Sequence, residues 1–213
     1  MRKKLQKALD KFKENNIDPD LLKVNINMEL TASGWLRLNE PDDYINEYNI
    51  EIELYNDLET QEKEKIANSI CYFISGYDYA NREWVDIFDT ADAYSGDLEL
   101  AVGPVVNSNG FLREEYLNNG VLYIHRFYIN PEYRSQGIGT IVLPLIIDVL
   151  GREAGVITVT PVPYEKDGCE KIEEENPNYI KEKEKSVNLF EKFGFIQDEI
   201  YKKVWVKDTT LKE

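Results

Sequence analysis

An α/β fold whose sheet holds at least one parallel strand pair is what this sequence predicts, and three observations predict it. Val121–Ile129 (VLYIHRFYI) and Val156–Thr160 are runs of β-formers with apolar side chains on both faces, as in strands buried from both sides. Between them, Gly139–Leu150 is an apolar helix ended near Gly151. After the second strand come a helical segment and a closing strand or hairpin over Phe195–Val206. A strand, a helix, and a strand returning in the same direction make the parallel crossover unit.

The preceding elements follow in order. Residues 2–14 have Leu5, Ala8, Leu9 and Phe12 at helical spacing, and Asp18-Pro19-Asp20 breaks that helix. Strand-like pieces occur at Val24–Leu30 and Ile50–Tyr55, with a loop at Glu40-Pro41-Asp42-Asp43 between them. Residues 61–75 read as a helix with a broad apolar face of Ile66, Ala67, Ile70, Cys71, Phe73 and Ile74. Residues 84–102 read as another, carrying Trp84, Phe88, Ala91, Leu98 and Val102 at a 3.6 period and ending near Gly103-Pro104. Its opposite face bears Asp86, Asp89, Asp92 and Asp97. Residues 107–120 are turn-rich. Asn130–Gly137 is a loop, and residues 163–185 form a charge-dense excursion leading into a helix that continues over 186–193. Pro144 is expected to kink the helix that holds it.

Composition narrows the function. With 213 residues, 42% hydrophobic and 12% aromatic, the chain can build one sizeable core and is not disordered. The net charge of −15 opposes binding to a phosphate backbone, so a nucleic-acid partner is not expected. The most apolar stretch, Ile141–Leu150, is about half of the ~18 residues that a membrane helix needs. No secretory h-region follows the basic start, and two distant cysteines, Cys71 and Cys169, make neither a disulfide framework nor a metal pattern. A cytoplasmic protein with reduced thiols and no metal is the expectation. The charge is uneven: the first 13 residues are basic and residues 40–99 strongly acidic. The acidic half suits a solvated surface or a rim that attracts a cationic substrate.

Tyr128–Thr140, YINPEYRSQGIGT, carries the chemistry. A buried strand ends, a short loop holds Arg134, Gly137 and Gly139, and a helix begins. The first turn of a helix leaves N–H groups unpaired at the positive end of its dipole, and glycines let the backbone wrap an anion. Such a turn suits a phosphate. No Gly-Lys-Ser/Thr is present for a P-loop, and the third glycine of a dinucleotide fingerprint is replaced by Val142. The residues by themselves therefore fit either an anion loop or a tight strand-to-helix turn.

Arg134-Ser-Gln-Gly137-Ile-Gly139 resembles the acyl-CoA pyrophosphate loop of the GNAT acetyltransferase superfamily, Gln/Arg-x-x-Gly-x-Gly/Ala. Asn188-Leu-Phe-Glu-Lys-Phe-Gly-Phe195 is similar to that family's later helix-turn segment. The resemblance covers roughly residues 121–206. It implies a single domain over residues 1–213, a mixed central sheet flanked by helices, with 121–206 as the acyl-CoA-binding core and 1–110 on the substrate side. It implies acetyl-CoA or another acyl-CoA as donor. The backbone of Gln136, Gly137, Ile138, Gly139 and Thr140 would hold the pyrophosphate beside Arg134. Phe127, Tyr128 and Ile129 would lie along the pantetheine arm, and the thioester would enter the splay between the two central strands. An amine, of a small molecule or a protein, would attack directly, and a homodimer is a further family expectation.

His125, the sole histidine, suits the general base at an ordinary pKa near ~6.5, and equally suits a half-buried strand position. The family's frequent tyrosine, a general acid, is matched here by Phe190, which has no proton to give, and its frequent asparagine by Lys183. Tyr123, Tyr128, Tyr164 and Tyr179 are the candidates to replace that tyrosine. Asp89 and Asp92, one helical turn apart, are the candidates to bind an acceptor ammonium, with Asp97 off their face. The alternative function is a non-catalytic acyl-CoA-binding sensor or interaction module.

Overall fold

The computed structural model describes residues 18–30, 41–55, 62–78, 82–116, 120–165 and 170–210. The helix expected over residues 2–14, and Cys169, lie outside them. Strands β1 (Leu22–Leu30), β2 (Ile45–Tyr55) and β3 (Lys63–Ser75) form an antiparallel meander. Two-residue strands β4 (Tyr77–Asp78) and β5 (Glu83–Trp84) pair with each other. Helices α1 (Ile87–Tyr94) and α2 (Gly96–Val102) follow, then β6 (Gly120–Ile129), α3 (Ile138–Leu150), β7 (Val156–Val159), α4 (Tyr179–Lys192) and the hairpin β8 (Ile196–Gln197) and β9 (Trp205–Asp208). The seven-stranded sheet runs β1-β2-β3-β6-β7-β9-β8. The β6–β7 pair is parallel and its other neighbours are antiparallel. This is the mixed α/β sheet expected, with four helices among the described residues.

Each face of the sheet has its own core. On one, α3 and α4 cover Ile50, Ile52, Ile66, Cys71, Leu122, Ile124 and Ile157. On the other, α1 and α2 cover Ile45, Ile74, Val121, Tyr123 and Val156. A sheet covered on both faces needs apolar side chains on both, so its central strands lose the alternation of a half-exposed strand.

That corrects the helix expected over residues 61–75, which is the central strand β3. Its apolar residues fill both layers, and this doubled pattern imitates a broad helical face. The register steps from Ile52↔Ala67 to Glu53↔Lys65, so Ile66 is an extra residue in β3, and the consecutive Ile66 and Ala67 are both buried. Backbone bonding on both edges, to β2 and to β6, decides for the strand.

The single helix expected over residues 84–102 is also corrected. Glu83–Trp84 is extended, and Trp84 is exposed. Ser95, with φ −166° and ψ 147°, breaks the rest in two. Asp86 caps α1 by accepting from the Asp89 N–H, and Ser95 Oγ accepts from the Leu98 N–H to cap α2. Such caps make a break between two short helices favourable where periodicity alone suggests continuity. Pro144 lies inside the single helix α3.

Candidate active site

Strand β6 does two things at one point. Along β7 its pairing runs from Val121↔Val156 to Ile124↔Val159 and stops there. Along β3 it continues to Ala67↔Ile129. From His125 onward, the β7-facing edge of β6 therefore has no strand partner among the described residues. The β3 register also slips at this point, from Cys71↔Ile124 to Ile70↔Arg126, leaving His125 as an extra residue. A bulge raises local twist and re-aims side chains, so the fork in the sheet opens where the strand is kinked.

Below the fork lies a cavity of ≈ 260 Å³. Phe127, Tyr128, Ile129, Arg134, Gly137, Ile138, Gly139 and Thr140, named from sequence, all line it. Gln136 does not, because its side-chain amide turns back to donate to the Glu132 carbonyl at 2.6 Å. Gly137 is the N-cap of α3 at φ +96°, a left-handed conformation that favours glycine. Ser135 is also left-handed, at φ +64°. No side chain caps α3, so its first turn presents backbone donors to this loop. The Thr140 N–H donates to the Gly137 carbonyl at 2.9 Å, which leaves the anion-binding role expected of it to earlier positions. Gly139 serves packing instead: an added Cβ would lie 3.0 Å from Leu189 Cδ2 and 3.1 Å from Ile129 Cδ1.

Arg134 is more committed than the sequence suggests. Its Nε donates to the Ile129 carbonyl (2.9 Å) and its Nη1 to Glu182 Oε2 (3.0 Å), and its guanidinium lies 5.5 Å from the Tyr128 ring centre. Helix α4 supplies the facing wall with Glu182, Lys185, Ser186 and Leu189. Sequence reasoning missed these residues. Their i, i+3, i+4, i+7 spacing marks one helix face and was the available signal. Burial opposes ionisation of Glu182, but the hydrogen bond from Lys185 and the charges of Lys185 and Arg134 outweigh it and hold its pKa below the usual carboxylate value.

His125 is not among the residues that line this cavity; it heads a neighbouring cluster of polar and aromatic groups, one of which, Tyr164, does line it. Tyr123 Oη lies 3.4 Å from its Nδ1, and Asp97 Oδ2 4.0 Å. The rings of Tyr72 and Tyr123 pack against it at 5.5 and 5.6 Å. Tyr164 Oη donates to the His125 carbonyl (3.2 Å), and Asp97 is paired with Lys171 at 2.6 Å. Burial lowers the His125 pKa; Asp97 pulls it up, while Lys171 and Arg126 push it down. Burial raises the phenols of Tyr123 and Tyr164 above the ordinary value.

Asp89 and Asp92 stand exposed on α1. The acid brought to His125 is Asp97, in the first turn of α2, because the break at Ser95 redirects the chain. Asp97, Thr160, Lys171 and Lys183 also line a second cavity of ≈ 330 Å³, which shares Val162 with the first. Phe190 is buried edge-to-face between Phe127 and Phe195, and Tyr179 lies under Lys183. Cys71 is buried in the core and its thiol is pushed up to about 12 by burial. Among the described residues no cluster of metal-ligating side chains occurs, and no helix is long and apolar enough to cross a membrane.

Residues 101–163 match the model of the acetyltransferase (GNAT) family. The matched stretch runs from the end of α2 through β6, the glycine loop, α3 and β7, and so contains both the fork and the loop. No curated protein matches the chain. That match, over under a third of the chain, falls on the segment that builds the fork and the glycine loop, inside a seven-stranded mixed sheet consistent with the GNAT fold, and makes this part of the chain similar to the GNAT family.

Proposed function

We propose that this protein is an acyl-CoA-dependent N-acyltransferase that moves an acetyl group from acetyl-CoA to an amine by direct attack. The single observation that carries this reading is geometric. The part of β6 that runs on past its pairing with β7, at Phe127–Ile129, and the glycine-rich start of α3 line one cavity. An extended arm ending in a diphosphate has that shape: backbone partners along the arm and helix-end donors at the anion.

When bound, acetyl-CoA supplies an activated thioester carbonyl; a C–N bond replaces its C–S bond. The chain's own residues do the rest. Phe127–Ile129 offer backbone groups to the arm, and the loop from Arg134 to Gly139 receives the diphosphate. Holding the two reactants in line accounts for much of the expected acceleration. His125, kept neutral by burial, accepts the proton that the amine sheds as it attacks. Tyr123, 3.4 Å from that ring with its phenol kept protonated, is our candidate to return a proton to the departing thiolate through His125. The second cavity, beside Asp97 and Thr160, is the approach for the acceptor; its mixed lining of aspartate, glutamates and lysines suits a polar amine. The acidic half of the chain favours a cationic one.

One observation favours a second reading, a module that binds acyl-CoA without turnover. The family's usual tyrosine position holds Phe190, sealed in an aromatic trio. Calorimetry with acetyl-CoA, followed by release of free CoA in the presence of a panel of amines, separates the two. Saturable binding with amine-dependent thiol release supports the enzyme; binding without release from any amine supports the module; no binding defeats both.

A further inference from the structure

Two cations and one anion share the wall of the cavity beside the glycine loop. Glu182 uses both carboxylate oxygens: Oε2 accepts from Arg134 Nη1 at 3.0 Å and Oε1 from Lys185 Nζ at 2.5 Å. All three side chains line the same cavity as Gly137 and Thr140. The Glu182 side chain is 20% exposed, so its charge is only partly screened. A carboxylate bridging two cations beside a helix N-terminus occupies the role that two phosphate oxygens take in an anion site.

We infer that Glu182 is a specificity-determining residue, an internal anion that holds Arg134 and Lys185 against simple phosphates and yields them only to a ligand that also fills the apolar channel along Phe127, Ile129 and Leu189. This rests on the acyl-CoA reading of the cavity. A free diphosphate must displace or approach a carboxylate with nothing else to gain. A ligand with a long arm brings burial along the channel and can bear that repulsion. Lys185, whose side chain is half-exposed on α4, is the cation best able to turn from Glu182 toward an incoming diphosphate. Arg134 stays tethered by its second bond, to the Ile129 carbonyl.

The test compares the whole chain with Glu182→Gln by calorimetry, using acetyl-CoA, inorganic pyrophosphate and the N-acetylcysteamine thioester, which has no phosphate. The variant should bind acetyl-CoA about tenfold tighter, the order of one partly screened charge contact. It should also gain pyrophosphate binding that competes with acetyl-CoA, and show a steeper salt dependence than the native chain. Binding of the phosphate-free thioester should not change. Equal or weaker acetyl-CoA binding by a folded variant overturns the inference, as does equal tightening for the phosphate-free thioester. Glu182→Ala removes the charge by a smaller side chain and decides the matter if the amide variant does not fold. A native chain that binds no acetyl-CoA defeats the functional reading itself. A native chain that binds it, beside variants that bind no tighter, defeats this inference alone.

Discussion

Ile124 and Val159 form the last rung between the two parallel strands, and the next residue on β6, His125, is the one that bulges away from β3. The end of one ladder and the slip in the other coincide at a single peptide. The opening of the sheet and the aiming of the sole histidine are thus one structural event.

His125→Ala should lower turnover by about 10²–10⁴-fold while leaving acetyl-CoA affinity unchanged. In the native chain, kcat/KM should rise with pH through an ionisation below the ordinary value of 6.5, because burial lowers the imidazole pKa, and the variant should lack that limb. Stability carries the same sign. The unfolded chain takes up the proton more readily than the folded one. The histidine's contribution is complete above the unfolded value and declines as pH falls from there toward the lowered folded one. A pH–rate profile unaltered in the variant would return His125 to a packing role.

Thr140→Glu should abolish acetyl-CoA binding with the fold intact. Its carboxylate would stand in the first turn of α3, where a negative charge favours the helix, and would occupy the anion site. Gly137→Glu should also abolish binding, but at a cost of about 1–2 kcal/mol in stability for a side chain held at positive φ. Calorimetry and thermal melting of the two variants separate loss of site from loss of fold.

Gly139→Ala should be near neutral, since the helical gain of about 0.5–1 kcal/mol offsets slight crowding of Leu189 and Ile129. Gly139→Val should cost about 1–3 kcal/mol by overpacking the same contacts. Because Leu189 lines the cavity, the valine variant should also weaken acetyl-CoA binding. Denaturant midpoints check the first part; a valine variant as stable as the native chain would mean that α4 gives way freely.

Phe190→Tyr, which installs the family's usual residue, should not raise turnover. The ring is 3% exposed and packed edge-to-face on Phe127 and Phe195, so an added hydroxyl should cost about 1–3 kcal/mol if it finds no partner. A rise in kcat would show that the new phenol reaches the fork, and would displace Tyr123 as proton donor.

Much of the second half was legible in the sequence because its signals are local. β6, the glycine loop, α3 and β7 each announce themselves within a dozen residues, through β-former runs, a left-handed glycine and an apolar helix between breaks. The failures lie where one pattern serves two structures. β3 looked helical because a strand buried on both faces has no alternation to show. The segment from residue 84 to 102 looked continuous because the cap at Ser95 depends on backbone geometry, and that break also puts Asp97, at the start of the next helix, 4.0 Å from His125.

By itself, then, the sequence determined the parallel unit, the glycine loop between its strand and helix, and the resemblance to the GNAT family. Each rests on residues close together in the chain, whose backbone preferences act before any long-range contact forms. The tertiary structure alone decided that the ladder ends at Ile124, that the bulged His125 meets Asp97, and that Arg134 is held by Glu182, 48 positions away. Those relations are set by hydrogen bonds and charges between distant segments, and no periodicity in the chain encodes them.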